Sequence, residues 1–116
     1  MSWLTEAAVA FMRAAYLGQR KDQRALNFIE IVKECGTSEE YAYARHLEAA
    51  LTLVLLDAPD DAIGIGKEVV ELDRHLGDRE LEGDALMGIS MVYESMGDTK
   101  ATEIYAREAA NVRAER

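Results

Sequence analysis

The sequence predicts an all-α domain of about six antiparallel helices, and three observations carry that reading. Helix punctuation recurs at Leu17-Gly18, Cys35-Gly36, Ala58-Pro59-Asp60, Leu76-Gly77-Asp78 and Met96-Gly97-Asp98, which separates six segments. Inside the segments apolar residues return every three or four positions, as at Ala25, Phe28, Ile29 and Val32, or at Ala85, Ile89, Val92, Tyr93 and Met96. That is the period of one helix face. No run alternates with the period of two that a half-buried strand needs.

The first segment, residues 3–17, ends before Gly18, with Trp3 and Phe11 as its large anchors. The second covers 22–35 and stops at Gly36. Thr37 and Glu40 then form a capping box for the third, 38–57, each side chain satisfying a backbone N–H of the first turn. Pro59 suits the start of the fourth, 60–76, where a missing N–H costs nothing, and Asp60 and Asp61 complement the helix dipole. Asp78 and Asp98 are N-caps for the fifth, 79–96, and the sixth, 99–114. The glycines that close helices take the left-handed conformation cheaply. Connections this short make neighbouring helices antiparallel, giving hairpins over 3–35, 38–76 and 79–114. A chain of 116 residues holds one core, so 1–116 is read as a single domain.

Composition narrows the function. The chain has 13 Lys+Arg and 22 Asp+Glu for a net charge of −9, which disfavours direct binding to nucleic acid or anionic lipid. The charge is uneven: residues 1–37 carry five basic and four acidic side chains, residues 38–116 eight and eighteen. A basic or amphipathic partner is steered toward the second part, and the same acidity also aids solubility. Cys35 is the only cysteine, so no intramolecular disulfide forms; the reducing cytoplasm is the expected compartment and a small buried apolar side chain its expected role. The stretch Ala49–Leu56 falls far short of a bilayer span and the first residues lack an export leader's pattern, so no membrane association is expected.

The hairpins look related. Tyr16, Leu53 and Tyr93, aligned as the large residue late in each first helix, are spaced 37 and 40, and Ala25, Ala62 and Ala101 in the second helices 37 and 39. A near-constant period in this range marks a helical solenoid. The stretch Ala62-Ile63, Leu76-Gly77-Asp78, Ala85 through Tyr93, Gly97-Asp98 and Ala101 through Tyr105 to Ala109 resembles the longer, roughly 40-residue class of tetratricopeptide repeat. The resemblance covers under half the chain well. The middle hairpin departs from it with Leu53 for an aromatic and Gly66 for a large residue, and the usual Gly is Arg13 in the first hairpin, Ala50 in the second and Ser90 in the third. It implies a TPR-like α-solenoid that binds protein or peptide on a concave face lined by the first helix of each pair.

The third helix is informative by itself. Only Arg45, Glu48 and Thr52 form a polar stripe, so it wants cover nearly all round. One broad side, with Ala50 and Leu53, packs on the other helices. The resemblance places Ala44, Leu47, Leu51, Val54 and Leu55 on the concave side, after Ala7, Ala10, Ala14 and Leu17 and before Asp84, Met87, Met91, Glu94 and Ser95. An open face of this kind calls for an amphipathic helix or extended segment of a partner, or for a second copy of the chain as a homodimer; alternatively the hairpins close into a bundle around it.

No catalytic, cofactor or metal residues are assigned. Ile63-Gly64-Ile65-Gly66-Lys67 lacks the first Gly and the Ser or Thr of a phosphate loop, and Asp57, Asp60 and Asp61 lack a calcium loop's spacing. His46 and His75 read as a helix-surface side chain and a helix C-terminal dipole partner, and Glu80, Glu82 and Asp84 as first-turn charges. The leading expectation is an adaptor, regulator or chaperone-like holder, not an enzyme, anchored by Leu47, Leu51, Val54, Leu55, Met87 and Met91 with Asp84 and Glu94 as rim charges. The alternative is an acidic mimic of nucleic acid that works through Asp60, Asp61, Glu71, Asp73, Glu80 and Glu82.

Overall fold

Each predicted break has its own chemistry in the computed structural model, which describes residues 6–115. The described residues form six helices and no strand: α1 Glu6–Gln19, α2 Ala25–Cys35, α3 Ser38–Leu56, α4 Pro59–Leu76, α5 Arg79–Ser95 and α6 Thr99–Ala114. Trp3 lies outside the described residues. The Thr37 hydroxyl accepts the Glu40 N–H at 3.2 Å and the Glu40 carboxylate the Thr37 N–H at 2.9 Å, completing the capping box. Asp78 caps α5 through the Leu81 N–H and Asp98 caps α6 through that of Ala101. Gly77 and Gly97 take the left-handed conformation, at φ 75° and 80°.

The first break differs from its prediction. Gly18 lies inside α1, which runs on to Gln19, and the chain turns at Lys21, a non-glycine residue at φ 57°. The reason is tertiary: a Cβ on Gly18 would sit 2.6 Å from Leu51 Cδ2, so the missing side chain makes room for α3. Asp22 secures the turn by accepting the Arg24 N–H at 2.9 Å and pairing with its guanidinium at 2.6 Å. Those hydrogen bonds hold the Asp22 carboxyl down at about 2. Gly36 also departs from the left-handed pattern and is extended, at φ −82°.

Every helix packs on the next, and α3 additionally reaches α1 and α5, while the first hairpin makes no close backbone approach to the third. The three hairpins therefore do not close on one another, and the core falls into two clusters. Ala7, Ala10, Ala14, Ala25, Ile29, Val32, Ala44 and Leu51 are buried in the first, with Leu47 and Leu55 packed against it. Ala62, Ile63, Val69, Val70, Ala85, Leu86, Ile89, Val92 and Ala109 are buried in the second, against which Leu53, Tyr93 and Tyr105 pack. The Tyr93 and Tyr105 rings stack at 5.5 Å. Tyr16 does not repeat the part of Leu53 and Tyr93, because it is exposed on the outside of α1.

The division between the clusters runs through α3. Its polar stripe is an internal ionic link rather than a wet edge: Arg45 pairs with Glu48 at 2.6 Å and with Glu68 of α4, and Lys33 of α2 reaches Glu48 at 3.4 Å. Thr52 is buried and donates to the Glu48 carbonyl at 2.7 Å. Gly66 lets α4 lie close on α5, since a Cβ there would meet Ile89 Cγ1 at 2.7 Å. Ser90 donates its hydroxyl to the Thr102 carbonyl at 2.7 Å, tying α5 to α6.

Several expected roles change. Cys35 is exposed, not buried, and its Sγ donates to the Ile31 carbonyl at 3.0 Å. Its thiol pKa is raised, first by desolvation and then by the carboxylates of Glu6, Glu40 and Glu34. His46 is largely covered, and its Nε2 lies 2.7 Å from Oδ2 of Asp73, whose side chain is 0% exposed. Glu82 is 1% exposed and held by Arg74 at 3.1 Å and Arg79 at 3.4 Å.

Candidate docking cleft

The split of α3 between two clusters leaves one of its sides uncovered. Leu47, Leu51 and Leu55 recur at helical spacing toward α1 and α2, so His46, Ala50 and Leu53, rotated about 100° to 160° from the centre of that row, face another direction. There α3 and α5 flank a cleft of ≈ 370 Å³. His46, Ala49, Ala50, Leu53 and Val54 of α3 form one wall, Asp84, Gly88, Met91 and Val92 of α5 the other, and Ala62, Gly66 and Val69 of α4 contribute to the lining between them.

Small residues create the space. Ala50 is exposed, correcting its assignment to the packed side, and a Cβ on Gly88 would meet nothing within 4 Å. Because α4 reverses the chain between them, α3 and α5 run in the same direction. His46 and Asp84 therefore mark one end of the cleft and Val54 and Met91 the other. Val54 is 52% exposed and Met91 63%, both well above what a packed core residue shows. Asp57, the exposed left-handed C-cap of α3, follows Val54 by three residues, and the exposed Glu94 follows Met91 by three in the last turn of α5, where carboxylates add to the negative end of each helix. At the opposite end Asp84 pairs with Arg113 of α6 at 2.5 Å.

The structure distributes the sequence-assigned residues unevenly. Val54, Asp84 and Met91 come together on the cleft. Met87 and Glu94 are exposed on α5 but outside its lining. Ala44 and Leu51 are buried, and Leu47 and Leu55 are half-buried against the first cluster, so these four do not belong to one open groove. Ala7, Ala10 and Ala14 are buried too, and Leu17 packs against them. The physical cause is that three alanines on one face of α1 let α3 settle directly onto it. His46, Ala49, Ala50 and Gly88 were missed; the legible signal was small residues facing each other from two first helices.

The carboxylates grouped for nucleic-acid mimicry also part company. Asp73 and Glu82 are buried, whereas Asp60, Asp61, Glu71 and Glu80 are exposed and Glu71 pairs with Arg74. A phosphate-like row over all six does not exist. Among the described residues no group of three or more His, Cys, Asp and Glu is arranged to hold a metal ion, and no helix is long and apolar enough to cross a membrane. The cleft's walls can bury apolar side chains, and the exposed carboxylates past Val54 and Met91 can attract cations.

No protein-family model matches the chain, and no curated protein or solved structure is significantly similar to it. The functional reading therefore stands on the geometry of the cleft.

Proposed function

We propose that this chain is a protein-docking module with tetratricopeptide-like stacking, which holds an amphipathic basic helix in the cleft between α3 and α5. The observation that carries the reading is an apolar cleft of ≈ 370 Å³ whose walls expose Val54 and Met91. Its volume falls within the usual range for binding clefts, roughly 300 to 1,000 Å³. The order of helix packing, with each first helix touching the next and the outer hairpins apart, supports the repeat reading. Methionine supplies an adaptable wall, and the exposed carboxylates of Asp57 and Glu94, one turn beyond Val54 and Met91, favour a cationic occupant. Covering two side chains of this size is worth about 3 kcal/mol gross, before the costs of association.

Two synthetic amphipathic helices test this, equal in length and apolar face but with lysines or glutamates on the polar face. The basic peptide is expected to shift the amide resonances of Ala50, Val54, Gly88 and Met91, and Met91→Asp to abolish those shifts while far-UV helicity stays. Equal binding of both peptides, or shifts confined to other surfaces, overturns the assignment.

A further inference from the structure

We propose that the helix this cleft takes is α1 of a second copy of the chain. The proposal rests on the docking reading above and names its occupant. Among the described residues four large apolar side chains are more than half exposed, and they fall in two places. Val54 and Met91 stand on the two walls of the cleft; Met12, 56% exposed, and Tyr16, 59% exposed, share the outer face of α1. Within one copy these patches cannot meet. Helix α1 packs only on α2 and α3, through Ala7, Ala10 and Ala14, which lie on the side opposite Met12 and Tyr16. Two separated apolar patches on one small chain are each accounted for if they cover one another.

Charge marks the two patches as complementary. On α1 the residues Val9, Met12, Arg13 and Tyr16 recur at intervals of three, one and three, and Arg20 follows in the turn just past the helix end, the pattern of a basic amphipathic helix. The Arg20 guanidinium lies 5.5 Å from the Tyr16 ring centre and that of Arg13 5.7 Å from Phe28, which holds both cations at the patch edge. The cleft offers the opposite sign, with Asp57 and Glu94 beyond Val54 and Met91. Asp84 is already engaged by Arg113, so the far end of the cleft supplies most of this attraction. The whole chain repeats the asymmetry, basic by one charge over residues 1–37 and acidic by ten over 38–116.

Because the giving and receiving patches differ, the contact is head to tail. Two copies close it if each gives α1 and receives the other's; otherwise the chain of copies continues. Sedimentation equilibrium over a range of concentrations is expected to give masses above the 12.9 kDa of one chain, falling as salt screens the charges. Tyr16→Asp, with Tyr16→Ser as a milder partner, and Met91→Asp should each be monomeric. An equimolar mixture of a Tyr16 variant with Met91→Asp should associate again, since one intact α1 patch still meets one intact cleft. Arg13→Glu with Arg20→Glu should weaken association roughly tenfold or more at low salt. A monomeric wild type, a variant that still self-associates, or a mixture that stays monomeric overturns the proposal. If the wild type is monomeric yet binds the basic synthetic helix at the cleft, the docking reading survives and only its occupant is wrong. If it does neither, both fall.

Discussion

Gly66 and Gly64 lie two residues apart on α4, yet adding one methyl group to each should have unequal effects on stability. A Cβ on Gly64 meets nothing within 4 Å, whereas one on Gly66 lands 2.7 Å from Cγ1 and 3.3 Å from Cδ1 of Ile89, itself 2% exposed. Both substitutions to alanine gain the same helix propensity, about 1 kcal/mol. Their difference isolates the steric term, which for overpacking of a filled core is about 1–3 kcal/mol. Gly64→Ala is therefore expected to stabilise the fold and Gly66→Ala to be less stable than it by that margin, read as the difference in urea unfolding free energy at matched slopes. In an Ile89→Ala background the two alanines should converge, because the clashing atoms are gone. Equal stabilities of Gly64→Ala and Gly66→Ala in the wild-type background would refute the close seating of α4 on α5, and with it the floor of the cleft.

Three further outcomes follow from single side chains. Glu82→Gln keeps the shape of a 1% exposed residue but weakens its bonds from Arg74 and Arg79, and should cost about 1–2 kcal/mol in the same assay, with no loss contradicting the buried ion cluster. His46→Ala leaves both oxygens of Asp73 without a partner, since Oδ1 has none already. It should cost about 2–4 kcal/mol, and much less once Asp73 is also alanine. The raised pKa of Cys35 keeps its thiol protonated to higher pH, so iodoacetamide should alkylate it more slowly at neutral pH than free cysteine despite its exposure, and Glu34→Gln should speed the reaction; alkylation at the rate of free cysteine counts against it.

The helices were legible because their signals are local. Thr37 with Glu40, Pro59, Asp78 and Asp98 each act within one turn, and the structure places each at its helix start. Gly18 misled because a glycine can serve packing instead of a turn, and the contact that decides this, with Leu51, lies 33 positions along the chain. The same distance in sequence hid the fate of Leu47, Leu51 and Leu55. Nothing in α3 says which of its apolar sides a neighbour claims; the alanine face of α1 decides it. Asp73 and Glu82 read as surface acids, as carboxylates usually are, and their burial depends on partners on other turns and helices. Of the site, Val54, Asp84 and Met91 were legible by position, but the cleft's shape was not.

That shape depends on what is missing from the walls. Ala50 on α3 and Gly88 on α5 are exposed where longer side chains would meet across the gap, and Leu53, Ile89 and Val92 already seal the core beneath. The cleft is thus a surface feature added to a finished core. Filling it should cost no stability, unlike overpacking at Gly66. Ala50→Leu adds three carbons and should lie along the apolar wall, leaving stability unchanged or raised by about 1–2 kcal/mol. It should also remove binding of the basic synthetic helix and any association through the cleft. A destabilised Ala50→Leu would mean the site is packed rather than open. A stable Ala50→Leu that still docks its partner would move the binding surface elsewhere on the molecule.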